Sequence, residues 1–327
     1  MTQFETIFDF FSRNLTGEIE QIGKRVPKNL YEPVIYSLNM GGKRIRPVLL
    51  LMAYKMFKSD LEKALPAACA IELFHNFTLL HDDIMDDAGL RRNLETVHVK
   101  YSNNAAILSG DAMSILSYEY ITKYNSDNRK EIIDLYTLTA LRICEGQQFD
   151  MDYETKNDVT VDEYINMIGL KTAILLAASL KLGAIIADAP EKDAELLYEM
   201  GYNLGLAFQL QDDLLDTFGE QDTFGKNIGG DIVSNKKTFL LINALKLANT
   251  HQLSELKKWL QEINFDRDEK IEHVKKIFID LGIFEITRKK IDSFFQVAQN
   301  CWDQLNVDVV RKEGLLIVAK TLMDRQN

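Results

Sequence analysis

Apolar side chains recur at three- and four-residue spacing along nearly the whole chain, the period of a helix with one buried face. The pattern predicts helices over 4–22, 29–39, 45–57, 61–87, 104–124, 129–151, 161–168, 171–187, 191–218, 235–248, 252–263, 268–280, 283–304 and 307–323. Alternation of period two, the mark of a half-buried strand, is absent or very short. Gly41-Gly42, Asn103-Asn104, Asn125-Ser126-Asp127-Asn128 and Asn227-Ile228-Gly229-Gly230 punctuate the helices. Proline agrees with this reading. The chain has five prolines, none between Pro66 and Pro190 and none after Pro190, where ordinary usage would give about sixteen. A proline inside a helix costs ~3 kcal/mol or more, so long proline-free stretches favour long helices. With no low-complexity linker and no short repeat, the expected architecture is all-α, a single domain spanning 1–327.

Composition narrows the class. The 46% hydrophobic and 27% charged content is that of a globular chain, not a disordered or disulfide-scaffold one. The net charge of −11 argues against nucleic acid as a partner, because that binding needs basic stripes. Cys69, Cys144 and Cys301 are odd in number and lack a CxxC pair, which reads as reduced thiols of a cytoplasmic protein. Met1-Thr2-Gln3-Phe4-Glu5 has neither the basic nor the apolar region of a signal peptide. The most apolar run, Ala173 to Ala187, is interrupted by Lys181 and Gly183. It falls short of the ~20 apolar residues of a spanning helix, so it is expected to be a core helix and no membrane span is expected.

The first chemical signal is acidic. Leu79-Leu80-His81-Asp82-Asp83-Ile84-Met85-Asp86-Asp87 places four carboxylates in six positions behind a mostly apolar segment. On a helix, Asp82 and Asp86 are i,i+4 neighbours and Asp83 and Asp86 are i,i+3, so they share a face and repel. Carboxylates near a helix C-terminus also oppose the macrodipole. A divalent cation would remove both penalties, and oxygen-only donors favour Mg²⁺ over zinc. One such cluster is more often a solvated acidic face. The pattern recurs, however, at Phe208-Gln209-Leu210-Gln211-Asp212-Asp213-Leu214-Leu215-Asp216, again on an apolar helix, where acidic groups need partners.

Cations accompany both clusters. Gly41-Gly42-Lys43-Arg44-Ile45-Arg46-Pro47 joins a Gly-Gly turn to three of them, Arg91-Arg92 follows the first cluster, and Lys171-Thr172 opens the apolar helix. Gly225-Lys226 and Asp231-Ile232-Val233-Ser234-Asn235-Lys236-Lys237-Thr238 follow the second cluster. Arg offers phosphate a planar fork and Lys a compact charge. Cations placed around two aspartate clusters suggest alternating layers of metal and phosphate, although any one pair could be ordinary surface charge.

Taken in order, GGKRIRP, IELFHNFTLLHDDIMDD, the Arg91-Arg92 pair, SGD at 109–111, EGQQFD at 145–150, Lys171-Thr172, FQLQDDLLD and GKNIGGD with NKKT run from Gly41 to Thr238. This series resembles the trans-isoprenyl diphosphate synthases of the polyprenyl synthetase family, short-chain type. The resemblance implies an all-helical isoprenoid synthase bundle around a deep central cavity, usually homodimeric, with three Mg²⁺ per site. It implies that Lys43, Arg46, His75 and Arg92 hold isopentenyl diphosphate, and that Asp82, Asp86 and Asp212 bind Mg²⁺. Asp83, Asp87, Asp213 and Asp216 would support the ions directly or through water. Arg91, Lys171, Lys226 and Lys236 would clamp the allylic diphosphate, with Asp82, Asp86, Asp212, Lys171 and Arg91 carrying the catalysis. Thr172, Gln209, Gln147 and Asp150 would line the reacting region, and Asp231 would position the Lys226 loop. One departure is Asn93-Leu94-Glu95-Thr96, where the family reads Gly-x-Pro-Thr; it alters a loop. Arg325 is a poor match for the basic residue that closes the site in some relatives.

The expected reaction is ionisation of the allylic diphosphate, attack by the double bond of isopentenyl diphosphate, and proton loss. The tail would run back along the helix that ends in Asp82. Phe77 lies five residues earlier, ~7.5 Å along the axis, with Phe74 about one turn beyond and small Thr78 beside it. A ring at that depth favours a short product, C20 before C15. Two other functions stay open. A class I terpene cyclase also uses a DDxxD helix, but needs neither a second DDxxD nor an isopentenyl diphosphate pocket. A non-catalytic partner subunit would be expected to have lost an aspartate cluster.

Overall fold

The computed structural model describes residues 2–219 and 228–323. It is all-α. The helices are α1 (Gln3–Gly23), α2 (Lys28–Asn39), α3 (Ile45–Phe57), α4 (Leu65–Met85), α5 (Val97–Lys100), α6 (Asn103–Ile121), α7 (Arg129–Thr155), α8 (Val161–Ile168), α9 (Ile174–Ile186), α10 (Glu191–Phe218), α11 (Gly230–Val233), α12 (Phe239–Leu247), α13 (Thr250–Gln261), α14 (Arg267–Asp280), α15 (Ile283–Gln304) and α16 (Val309–Met323). Among the described residues the only strands are β1 (Leu90–Arg91) and β2 (Leu94–Glu95), an antiparallel pair with Leu90 opposite Glu95 and Arg91 opposite Leu94.

The chain forms two compact units. The first comprises Met1–Leu138, Ala178–Tyr198 and Asn306–Leu315, and the second Thr139–Ala177, Glu199–Leu305 and Leu316–Asn327. In the first unit, α4 packs along α6 and against α3, while α1 packs on α2 and α3. Helix α3 is apolar on every side (IRPVLLLMAYKMF) and is buried from Pro47 to Tyr54, as an all-round hydrophobic helix must be. In the second unit, α12 is held by α15, α8 and α14, and α11 lies on α14.

Differences from the expected helices have local causes. The predicted 61–87 helix begins with a 3₁₀ turn, Leu61–Ala64, before Pro66 opens α4. It stops at Asp86, and Asp87 turns to a left-handed φ of 47°. The segments 161–168 and 171–187 join through a π-helical turn, Gly169–Ala173. The resulting Val161–Ile186 rod is long and apolar enough to cross a membrane, yet 78% of its most apolar window is buried inside the protein. It is built as a core helix. Residues 235–238 stay out of α12, whose N-terminus is capped by Thr238 Oγ1 accepting from Leu241 N–H at 3.4 Å. The hairpin β1–β2 was not expected. Its two-residue loop puts Arg92 at φ 53° and Asn93 at φ 63°, the paired left-handed conformations that a primed hairpin turn requires and Asn tolerates.

A buried ion pair ties the Gly41-Gly42 turn to α4. Arg44, left-handed at φ 46°, contacts Glu72 and donates to the carbonyl of Leu38. The Arg44 and Glu72 side chains are only 8% and 2% exposed, and Asn76 Nδ2 donates to the same Glu72 carboxylate. Removing one partner of such a pair strands a buried charge. Arg44→Met is therefore expected to lower the unfolding free energy by about 3–5 kcal/mol, and Arg44→Met combined with Glu72→Leu to recover most of it. Urea unfolding midpoints of the three proteins check this.

Candidate active site

In the first unit, residues from four segments meet around His75 on α4. Arg46 Nη1 donates to His75 Nε2 at 3.0 Å. Burial, and then the charges of Arg46, Arg92, Arg91 and Arg44, hold the His75 pKa well below that of an ordinary imidazole, so the ring is neutral. Arg92 reaches from the hairpin turn to the carbonyl of Gly41. Gly42, at φ 126°, lies so close that a Cβ there would sit 2.6 Å from the Arg92 guanidinium. Only glycine fits both that conformation and that approach. Lys43 is exposed beside it. The result is a concentration of cations around a neutral imidazole, the electrostatics of an anion site.

The first aspartate cluster ends the same helix. Asp83 is buried, and Arg91 grips it: Nε lies 2.8 Å from both carboxylate oxygens and Nη2 lies 2.7 Å from Oδ1. Arg91 Nη2 is also 4.0 Å from Asp82 Oδ2. Asp82 is half-buried, whereas Asp86 and Asp87 are exposed. Further up α4, Phe74 is buried edge-on against Phe77 (5.3 Å) and Tyr136 (5.9 Å), and Phe77 meets the His81 ring at 4.8 Å. Thr78 turns its hydroxyl back to the His75 carbonyl at 2.8 Å.

In the second unit, Lys171 lies in the π-helical turn and donates to Asp150 Oδ2 at 2.6 Å. That pairing needs α7 pressed against the turn: a Cβ on Gly146 would lie 2.4 Å from Lys171 N. Next to it, Thr172 Oγ1 donates to Gln209 Oε1 at 3.1 Å, and Gln209 Nε2 donates to Asp213 Oδ1 at 3.0 Å. Tyr164 donates its hydroxyl to Asp213 Oδ2. Asp216 Oδ2 accepts from Asp231 N–H at 3.0 Å, which fixes the start of α11. Gln147 is half-buried on α7 and Asp212 half-buried on α10, while Lys236 is exposed. Burial raises the Asp213 carboxyl to about 6 against the pull of Tyr164, Gln209 and Lys236. Burial, aided by Asp213, Asp216 and Asp150, raises Asp231 to about 7. This is carboxylate charge crowded beyond what the protein's own cations neutralise.

The donors fit Mg²⁺. They are carboxylate oxygens, hard ligands without thiolate or imidazole among them. Among the described residues no three acidic, His or Cys side chains are gathered to hold an ion alone.

The sequence signature of polyprenyl synthetases matches residues 27–278. The chain is 41% identical over 271 residues to the short chain isoprenyl diphosphate synthase of Methanocaldococcus jannaschii, covering 81% of each protein. It is 40% identical over 243 residues to the geranylfarnesyl diphosphate synthase of Natronomonas pharaonis, covering 69% of this chain and 71% of that one. Its fold matches the crystal structure of a geranylgeranyl pyrophosphate synthase with a TM-score of 0.93 at 44% identity, over all of both chains. The chain belongs to the polyprenyl synthetase family.

Within this polyprenyl synthetase, the structure joins Arg46 to His75, Arg91 to Asp83, Lys171 to Asp150, and Thr172 through Gln209 to Asp213. Asp87 is turned out to solvent. Lys226 and Arg325 lie outside the described residues. Sequence reasoning missed Tyr164, whose helical spacing marks it only as a core position, and the Arg44–Glu72–Asn76 network, whose members read as one more cation and two helix-face polar residues.

The raised carboxyls predict a pH dependence of the metal-free protein. A folded pKa above the unfolded value of ~3.9 means that the folded state takes up protons first. The penalty from Asp213 and Asp231 is full above pH ~7 and gone below ~4. The Asp213→Asn/Asp231→Asn protein should therefore gain less stability than the parent on going from pH 8 to pH 5. His75 titrates with the opposite sign and contributes alike to both proteins. Denaturant midpoints measured in chelator at the two pH values check this.

Proposed function

We propose that this polyprenyl synthetase condenses isopentenyl diphosphate with an allylic prenyl diphosphate, forming a short all-trans prenyl diphosphate. The product is C20, with C15 and C25 as the neighbouring sizes. The observation that carries the proposal is the neutral His75 held among Arg44, Arg46, Arg91 and Arg92. It offers an anion site, and a condensing enzyme needs two diphosphate sites. A class I cyclase needs one, and a non-catalytic subunit needs neither cluster intact.

Arg46, Arg92 and Lys43 bind the isopentenyl diphosphate, and the neutral imidazole of His75 orients it without adding a titrating charge. Arg91, Lys171 and Lys236 hold the allylic diphosphate and stabilise the negative charge that grows on it as its C–O bond breaks, as do Lys226 and the metal-bearing side chains. Asp82, Asp86 and Asp212 would hold Mg²⁺, three ions in all, and Asp83, Asp87, Asp213 and Asp216 would support them. Bound Mg²⁺ supplies Lewis-acid stabilisation of the leaving diphosphate. Such charge stabilisation, preorganised by the fold, is worth most where water is excluded. Thr172, Gln209, Gln147 and Asp150 set the reacting region. The double bond of isopentenyl diphosphate attacks the allylic cation, and the released diphosphate takes the proton. Phe77, backed by Phe74 with Thr78 alongside, stops the tail. Two copies associate through α6, where Leu108 and Ile115 are 60% and 71% exposed one heptad apart, an apolar stripe of the kind that marks an interface.

Asp82→Ala and Asp212→Ala are each expected to lower condensation by roughly 10²–10³-fold or more while leaving the thermal midpoint nearly unchanged, since neither side chain is core. Radiolabelled isopentenyl diphosphate incorporation and calorimetry measure the two effects. Near-normal turnover in either variant would remove the metal role. Phe77→Ala should shift the product to longer chains, read by chromatography after incubation with C5, C10 and C15 primers in turn.

A further inference from the structure

The segment carrying Asp231 and Lys236 has little regular structure of its own. Helix α11 is a single turn, Gly230–Val233, and the chain then runs through turn and loop to Thr238. It is tied at one end to α10, where Asp216 O accepts from Gly229 N–H at 2.7 Å and Asp216 Oδ2 from Asp231 N–H at 3.0 Å. It also closes on itself, with Lys236 N–H donating to Asp231 O at 2.9 Å. Moving the middle of the segment therefore moves both functional side chains.

One face of α14 holds that middle. Arg267, Lys270 and Ile271 stand at i, i+3 and i+4, side by side on a helix. Arg267 Nη2 donates to Ile228 O at 2.7 Å. Lys270 Nζ donates to Val233 O at 3.2 Å and to Asn235 Oδ1 at 2.7 Å. Ile271 packs so closely on Gly229 that a Cβ at that φ +80° position would lie 2.6 Å from its Cδ1. Asn235 stands in the left-handed conformation at φ 57° and donates Nδ2 to Leu260 O at 3.2 Å. Lys270 is the unusual member. It is 1% exposed, and burial lowers its pKa. A buried ammonium is unfavourable unless hydrogen bonds compensate it, and methionine would fill the same volume without that penalty. What methionine lacks is the pair of directed bonds to Val233 and Asn235.

We propose that α14 is a splint for the diphosphate-binding segment and that Lys270 is a positioning residue, which fixes Lys236 and Asp231 for the allylic diphosphate without touching it. The identity of that ligand rests on the synthase reading above; the splint itself rests on the contacts.

The test uses the full-length protein and two variants. Lys270→Met removes the donor. Asn235→Gly removes one acceptor of Lys270 and the bond to Leu260 O, but keeps a residue at ease in the left-handed conformation. In each, amide hydrogen exchange across 231–236 should quicken at least tenfold, while exchange in α3, α4 and α15 and the thermal midpoint stay as in the parent. Affinity for inorganic diphosphate with Mg²⁺, read by titration calorimetry, should fall at least fivefold. The KM for the allylic substrate should rise, with that for isopentenyl diphosphate within twofold. The double variant should lose less than the two single effects combined, because the two side chains share one of their contacts. Unchanged exchange at 231–236, or quickened exchange with unaltered diphosphate affinity, would overturn the proposal. So would a loss of protection throughout the protein, which would make Lys270 an ordinary core residue. If the parent binds diphosphate and the variants bind it more weakly, but the parent elongates no prenyl chain, the splint stands and the synthase reading falls.

Discussion

Like charges held at the ends of apolar helices repel each other, and the two units settle that repulsion in opposite ways. On α4 the protein supplies its own counterion: Arg91 closes on the buried Asp83 and lies 4.0 Å from Asp82. On α10 and the segment after it, Tyr164 and Gln209 hydrogen-bond to Asp213, Lys236 offsets only part of its charge, and burial raises the Asp213 and Asp231 carboxyls to about 6 and 7. Hydrogen bonds from neutral donors orient a carboxylate without cancelling its charge. What remains is a demand for external positive charge. Around His75 the imbalance has the other sign: burial, and then four arginines, keep the imidazole neutral.

Close packing turns those charges into a site. The apolar faces of α3, α4 and the Val161–Ile186 rod leave no freedom for slow drift of the side chains they carry. Two glycines mark where approach is tightest. Gly42 admits the Arg92 guanidinium, and Gly146 lets α7 come near enough to the π-helical turn for Asp150 to meet Lys171. π-Helical turns inside helices occur frequently at functional sites. Here it interrupts an apolar rod at Lys171, one of the lysines that the resemblance assigns to the diphosphate.

Residues 93–96, where the resemblance leads one to expect Gly-x-Pro-Thr, close the β1–β2 hairpin without a glycine. Without the glycine of the family pattern, Asn93 takes the left-handed conformation at φ 63° and Arg92 takes it at φ 53°. Asn reaches that region with less strain than most residues. The hairpin closes, and Arg92 still points to Gly41.

Helix type, helix order and the chemical class of the site were legible in the residues alone, because a 3.6-residue period and i,i+4 spacing are local properties that need no knowledge of neighbours. Helices 45–57, 161–168, 191–218 and 283–304 have the bounds that the pattern predicts. Ends shifted where a proline, a threonine cap or a left-handed residue intervened. Which carboxylate would be gripped by Arg91, which imidazole would be neutral, that Tyr164 would hold Asp213 from 49 residues away, and that a buried lysine on α14 would brace the Lys236 loop were decided only in the tertiary structure. Burial and partner choice depend on residues distant along the chain. No spacing rule contains the desolvation that moves a pKa or the close approach that aims a guanidinium.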